Sequence, residues 1–378
     1  MSTGTPGLPA ARDARLFLCG DVMTGRGIDQ VLPHPVEPHL YEHWMRSAIG
    51  YVELAERVAG PIGRGLAFEY PWGDALDVLE DFRPDARIVN LETAVTDRET
   101  AEPGKGIHYR MNPANLPCLT GAAIDCCILA NNHVLDWGRA GLEQTLRVLH
   151  GAGIRTAGAG REAKEAAAPA VMALPAKGRV LVFAFATPDS GVPHEWAAGS
   201  GRPGVNYLER ASDRTAAAVA KSASSRRQPG DLVVVSLHWG GNWGFDVSRE
   251  QRAFAHRLID HGGADVVHGH SSHHIKGIEV YRGKLILYGC GDFLNDYEGI
   301  RGQEIYRPDL TLMYFPELDR DSGNLRVLRA VPLRMHRFRL QRADGDEAAW
   351  LRETLEREGA ALGTHVSSEG QGMLSLSW

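Results

Sequence analysis

Val266-Val267-His268-Gly269-His270-Ser271-Ser272-His273-His274 places four histidines within seven residues, directly after an apolar run. Neutral imidazole is the commonest side-chain metal ligand and the usual proton carrier near neutral pH. Side chains alternate along a strand, so a strand ending in His-Gly-His presents His268 and His270 on one face. Gly269 lets the backbone approach whatever both rings face. A histidine-rich surface loop has the same composition. The stretch therefore reads as a metal or acid/base site only if other segments supply carboxylates and further ligands.

Other apolar runs do end in such residues. Arg15–Met23 carries Gly20-Asp21, Ala86–Glu92 ends in Asn90-Leu91-Glu92, and Ile124–Ala130 runs into Asn131-Asn132-His133. The run from Asp231 ends at His238, and a hairpin turning at Arg282-Gly283 leads to Gly291-Asp292 and then Asn295-Asp296. One polar strand end is ordinary turn chemistry. Asp21, Glu92, Asn132, His133, His238, His268, His270 and Asp292, all delivered by strand ends, point to a shared centre. These residue types suit a divalent ion such as Mn²⁺, Fe²⁺, Zn²⁺, Mg²⁺ or Ca²⁺. Cys19, Cys118, Cys126, Cys127 and Cys290 are odd in number and show no C-x-x-C spacing, which disfavours thiolate zinc and a disulfide framework and suits a reducing compartment.

The elements that position these residues alternate between strand and helix, the pattern of an α/β fold. Helices are expected through Phe82, over Gly141–Gly151, over 161–170, over Ala211–Arg227, over Arg249–Gly262 and over 346–361. Residues 29–75 read as a long excursion over the site, with a helix around 45–60. The polar loop 96–116 holds Asp97, Lys105, His108, Tyr109 and Arg110, some of which suit a substrate anion, as does Arg26. Residues 310–338 alternate like antiparallel edge strands. The 378 residues divide into a disordered 1–14, a single domain over 15–361 and a Ser/Gly-rich flexible tail over 362–378. A net charge of -6 argues against a nucleic-acid or anionic-membrane partner. No apolar stretch has the length of a membrane span, and the first residues lack the apolar core of a signal peptide, so a soluble cytoplasmic protein is expected. The oligomeric state is open.

Taken in order, Gly20-Asp21-Val22-Met23, Asn90-Leu91-Glu92, Ala130-Asn131-Asn132-His133 with Asp136, His238-Trp239-Gly240 and Gly269-His270-Ser271-Ser272-His273 resemble the motif series of CapA-type proteins of poly-γ-glutamate capsule biosynthesis. These belong to the calcineurin-like metallophosphoesterase superfamily. The resemblance runs from about residue 15 to 335. It implies a four-layer αββα sandwich with the site at strand ends. It further implies Asp21 as the first-motif acid, Glu92 as the bridging acid, Asn132 as a ligand, His133 as an acid/base residue, and His238, His268 and His270 as later ligands with His273 nearby. Asp21-Val22-Met23 stands where the superfamily has Asp-x-His, and the bridging acid lies in Asn-Leu-Glu. These departures favour a single oxygen-rich ion, Ca²⁺ or Mn²⁺, over a full two-metal phosphoesterase centre.

The chain also resembles cytoplasmic lasso-peptide epimerases, which implies a peptide substrate and inversion of the Cα of its C-terminal residue. That chemistry needs a base on one face, an acid on the other and positive charge for the enolate-like intermediate. His133 with Asp97 or Asp136 suits one proton carrier, and His270 or His273 with Asp292 or Asp296 the other. A hydrolase of phosphoester or amide bonds such as poly-γ-glutamate, and a non-catalytic capsule-assembly protein, are the alternatives. His274 is expected to point elsewhere and to tolerate Ala.

Overall fold

A computed structural model describes residues 13–175 and 178–378. The strands longer than two residues are, in chain order, β1 (Asp13–Val22), β2 (Ala86–Leu91), β3 (Cys126–Ile128), β4 (Arg155–Ala157), β5 (Ala170–Ala173), β6 (Arg179–Ala186), β7 (Leu232–His238) and β8 (Val266–His270). There follow β9 (Ile278–Tyr281), β10 (Lys284–Leu287), β11 (Asp292–Leu294), β12 (Leu310–Asp319), β13 (Leu325–His336), β14 (Arg339–Arg342), β15 (His365–Ser368) and β16 (Leu374–Ser377). The first sheet has the order β15-β16-β13-β12-β1-β2-β3-β4, with β11 also on β1 and β14 on β13; the second has the order β9-β10-β8-β7-β6-β5.

Period-two alternation explains how the sheets stack. Leu181, Phe183, Val233, Val235 and Val267 pack with Ala216, Val219, Phe254 and Leu258 of helices Asp213–Ser224 and Arg249–Asp260. Their neighbours Val180, Val182, Val234 and Val266 join a larger cluster with Leu16, Leu18 and Ile88 of the first sheet. Helices Ala75–Phe82 and Gly138–Gly151 add Phe82, Leu142 and Leu146 to that cluster, with Phe82 stacked on Phe315 of β12 at 3.9 Å. The result is the expected four-layer αββα sandwich. Strands β1 to β4 are parallel, as are β6, β7, β8 and β10. Their C-terminal ends form the kind of edge at which α/β sheets gather ligand-binding residues.

Several expectations need correction. The 1–14 segment expected to be disordered lies outside the described residues over 1–12, and Asp13 and Ala14 already belong to β1. The 310–338 strands are not edge strands, because β12 is paired on both sides, by β1 and by β13. The tail expected to be flexible contains the β15–β16 hairpin, whose second strand pairs with β13. Its Ser/Gly content conceals an alternation of Val366, Leu374 and Leu376, all buried. The Ala-rich helix over 161–170 shrinks to Ala163–Ala166, since Pro169 disfavours helical backbone at Ala168 and the chain then enters β5. Among the described residues no helix is long and apolar enough to cross a membrane.

Candidate metal and acid–base site

Strand register brings the predicted carboxylates and histidines to one place. Asp21 at the end of β1 lies opposite Asn90 on β2 and Asp292 on β11, and His238 on β7 lies opposite His270 on β8. Donor atoms of Asp21, His238 and His270 fall within 4.8 Å of one another, as do those of Asp21, His273 and Asp292. Asp21 is thus the carboxylate common to both groups. Asn90 Nδ2 donates to Asp21 Oδ1 at 2.7 Å, and the backbone N–H of Ser271 donates to Oδ2 at 3.2 Å. Ser271 holds that N–H in place with φ of 99°, a conformation non-glycine residues rarely adopt. The Nδ1 atoms of His238 and His270 face each other at 2.8 Å, with Ser236 Oγ 2.6 Å from His270 Nε2 and Asn132 Oδ1 3.1 Å from His238 Nε2.

Glu92 is 1% exposed, and its Oε2 has no hydrogen-bond partner. Burial and then the neighbouring Asp21 push its carboxyl well above the usual range. Burial and then Asp292 push Asp21 up to about 7. Burial holds His238 and His270 well below the ordinary imidazole value. Buried carboxylates crowded together and imidazoles held neutral form a donor set that a divalent cation fits.

Two histidine–aspartate pairs flank this cluster. His133 Nδ1 lies 2.6 Å from Asp136 Oδ2, which also accepts the Tyr109 N–H at 2.6 Å. His273 Nδ1 lies 2.8 Å from Asp292 Oδ1. Lys105 Nζ pairs with Asp136 Oδ1, donates to the Asn132 carbonyl and lies 3.0 Å from His133 Nδ1. Burial and then Lys105 hold His133 well below its ordinary value. For His273, burial acts downward but the Asp292 carboxylate outweighs it, and the ring is raised. Tyr109 packs edge-on against His133 at 4.4 Å and Tyr297 against His273 at 5.5 Å, and the two hydroxyls meet at 3.1 Å. Arg26 lies over the Tyr51, Tyr109 and Tyr297 rings. A cavity of about 550 Å³ opens beside His273, Tyr109 and Tyr297.

Not every sequence expectation survives this geometry. Asp97 is exposed and makes no contact with His133; Asp136, three residues along the chain from it, is the partner. His268 shares a face with His270 but is not among the converging donors: its Nε2 donates to the Cys19 carbonyl at 2.8 Å. Two residues earlier on a strand is roughly 6–7 Å below the strand end, inside the sandwich. Gly269 is required by the Tyr288 carbonyl, 2.4 Å from where a Cβ would sit, and not by a ligand. Asp296 is taken by Arg26 at 2.5 Å, so Asp296 is no partner for a histidine and Arg26 is no free anion receptor. His274 is 1% exposed, between Trp243, Phe245 and Tyr306, so it points away from the donor cluster as expected but is packed where tolerance of Ala was expected. Lys105 and Tyr109 stand out in the sequence only as members of the polar 96–116 loop suited to an anion, and Tyr297 carries no motif signal. The five cysteines are buried and free.

Comparison with known proteins agrees with the motif series. A probable polyglutamine synthesis accessory protein of Mycobacterium tuberculosis is 48% identical over 363 residues, covering 96% of this chain and 95% of its own. The capsule biosynthesis protein CapA of Bacillus anthracis is 26% identical over 84% of this chain and 66% of its own. The PGA biosynthesis protein CapA of Bacillus subtilis is 29% identical over 55% of this chain and 52% of its own. The profile described as bacterial capsule synthesis protein PGA_cap matches residues 15–297, the stretch from β1 to Tyr297 that supplies the whole donor cluster, and the chain belongs to that family.

Proposed function

We propose that this chain is a divalent-metal-dependent enzyme that inverts the Cα of the C-terminal residue of a peptide by two-base proton transfer. The observation that carries this reading is the pairing of His133 and His273. Each is held through Nδ1 by its own buried aspartate, and the tyrosines packed against them touch hydroxyl to hydroxyl. An Nδ1–H on a carboxylate leaves Nε2 as the exchanging nitrogen and fixes the ring. In one direction His133 Nε2 removes the Cα proton while protonated His273 delivers another to the opposite face. One C–H bond breaks, one forms, and the two carriers exchange protonation states.

Asp21, His238 and His270 with Asn132 would hold the ion, an assignment that leaves His273 free to move a proton. The unpartnered Oε2 of Glu92 and the crowded carboxylates support a cation there. The mixed oxygen and imidazole donors suit Ca²⁺ or Mn²⁺ foremost among Mg²⁺, Fe²⁺ and Zn²⁺. When bound, the ion supplies fixed positive charge for a substrate carboxylate or carbonyl oxygen. Asn90 and Ser271 orient Asp21, and Lys105 positions Asp136 and thereby His133.

The test is incubation of the metal-loaded protein with candidate peptides in D₂O. One deuterium at Cα with inverted configuration is expected, and no exchange with any cognate peptide sinks the reading. The relatives' names favour a second one, in which the chain serves synthesis of a glutamate or glutamine polymer. It would do so as an amide hydrolase, with His133 protonating the leaving amine, or as a non-catalytic accessory to partner proteins. Shortening of such a polymer by the purified protein selects the first form. Full function of a His133→Ala/His270→Ala double variant selects the second. The departures of the first motif and of the bridging acid stand against phosphoester hydrolysis.

A further inference from the structure

The cavity beside His273 carries information about substrate class that the donor cluster does not. Its volume of about 550 Å³ falls within the range of small-molecule and side-chain pockets. Trp44, Val58, Ile107 and Ile300 line it while remaining 57, 60, 42 and 40% exposed. They are four of the eight large hydrophobic residues exposed among the described residues, and they come from three separate segments: the 29–75 excursion, the 96–116 loop and the chain after β11. Apolar residues gathered at one mouth mark a binding surface, whereas scattered ones do not. Trp44 is braced edge-on against Tyr51 at 5.3 Å, and Tyr51 lies under Arg26. The 29–75 excursion thus builds one wall. The floor is His273, Tyr109 and Tyr297, so the cavity is continuous with the proton-transfer groups.

Charge narrows the occupant. Arg26 is neutralised by Asp296 and Glu42, and Arg307 is paired with Asp309. Glu298 accepts the backbone N–H groups of Arg337 and Phe338. Arg301 is the lining arginine that forms no ion pair among the described residues. The lining Glu304, which accepts the Gly302 N–H, lies within reach of its charge. A polyanion needs a row of unpaired cations, and this surface offers a single arginine outside an ion pair.

We propose that this cavity is the specificity pocket of the chain and takes the apolar or aromatic side chain of a peptide substrate bearing a single carboxylate near Arg301. The proposal rests on the peptide-processing reading of the site, but its test does not require turnover. Full-length, metal-loaded protein is titrated with acetylated hexapeptides ending in Phe, Leu or Trp, and with hexaglutamate as counter-probe. Binding is followed by calorimetry and by fluorescence of Trp44 and Trp243, both of which line the cavity. The apolar peptides are expected to bind at least about 10-fold more tightly than hexaglutamate, with a negative heat-capacity change. Ile107→Asp and Ile300→Asp are expected to weaken them by about 10-fold or more. Both positions are exposed, and Ile107→Ser and Ile300→Ser replace either Asp variant that fails to fold. Hexaglutamate binding as tightly as the apolar peptides, no apolar peptide binding, or folded variants that bind them unchanged would each overturn the proposal. Apolar peptides that bind in this way but exchange no deuterium at Cα would overturn the epimerase reading and leave the pocket standing.

Discussion

His273–Asp292 in the site and His256–Glu279 on the outer side of the second sheet are both histidine–carboxylate pairs, the first through Nδ1 and the second through Nε2, in two different settings. Glu279 receives Arg252 at 2.7 Å, Tyr288 at 2.6 Å and His256 at 3.0 Å. Burial acts to raise its carboxyl, but these donors outweigh burial and hold it below the usual range. Among the described residues no arginine or lysine pairs with Asp292; beyond His273 it has a long bond of 3.3 Å from the Asn295 amide. The Glu279 cluster is saturated with donors, so it stabilises the fold and has nothing left to offer a ligand. The site cluster is short of donors, as the orphaned Glu92 oxygen shows most directly, so the proposed cation or substrate would meet an unpartnered oxygen there. His133–Asp136 lies between these extremes, because Lys105 occupies the carboxylate oxygen that His133 does not use.

The largest expected effect separates the two settings outright. His133→Gln or His273→Gln should lower Cα deuterium exchange by about 10²–10⁴-fold, while His256→Gln leaves it unchanged. Equal loss in all three, measured by mass spectrometry on folded protein, would erase the distinction. Lys105→Met tests the intermediate case. It is expected to reduce kcat by about 10-fold with KM little changed, through loss of His133 positioning. Wild-type kcat in a folded Lys105→Met protein would reduce Lys105 to a neutraliser of buried charge.

The smallest expected effect concerns stability. Glu279→Gln should cost about 1–2 kcal/mol at pH 7, a charged hydrogen-bond network discounted for the partly exposed Arg252. The folded pKa of Glu279 lies below its unfolded value of about 4.5. Its stabilisation is therefore complete above that value and is lost as pH falls through the folded one. Denaturant titrations of both proteins should show the gap narrowing below about pH 4.5. A gap independent of pH would mean that Glu279 acts by packing rather than by charge.

The layers and most of the donor set are legible in the pattern of apolar runs and polar strand ends. Apolar runs of four to eight residues, each ending in Asp21, Glu92, Asn132-His133, His238 or His270, follow from the buried strands of a doubly covered sheet and the chemistry at their ends. Period-two alternation likewise put His268 and His270 on one face. Which of the two reaches the site is settled in three dimensions, because depth in a sandwich is set by how far the facing sheet extends. The tertiary structure also decides between Asp97 and Asp136, since the loop bearing Asp97 turns outward while the chain after His133 folds back on the ring. The same holds for Arg26 with Asp296 and for Tyr109 with Tyr297, partners 270 and 188 residues apart in the chain. Periodicity and local propensity record what a residue's neighbours in the chain require of it. They carry no record of a partner supplied by a distant stretch of the chain, and in this protein such partners assemble the candidate site, whereas the Glu279 cluster draws its donors from within 27 residues.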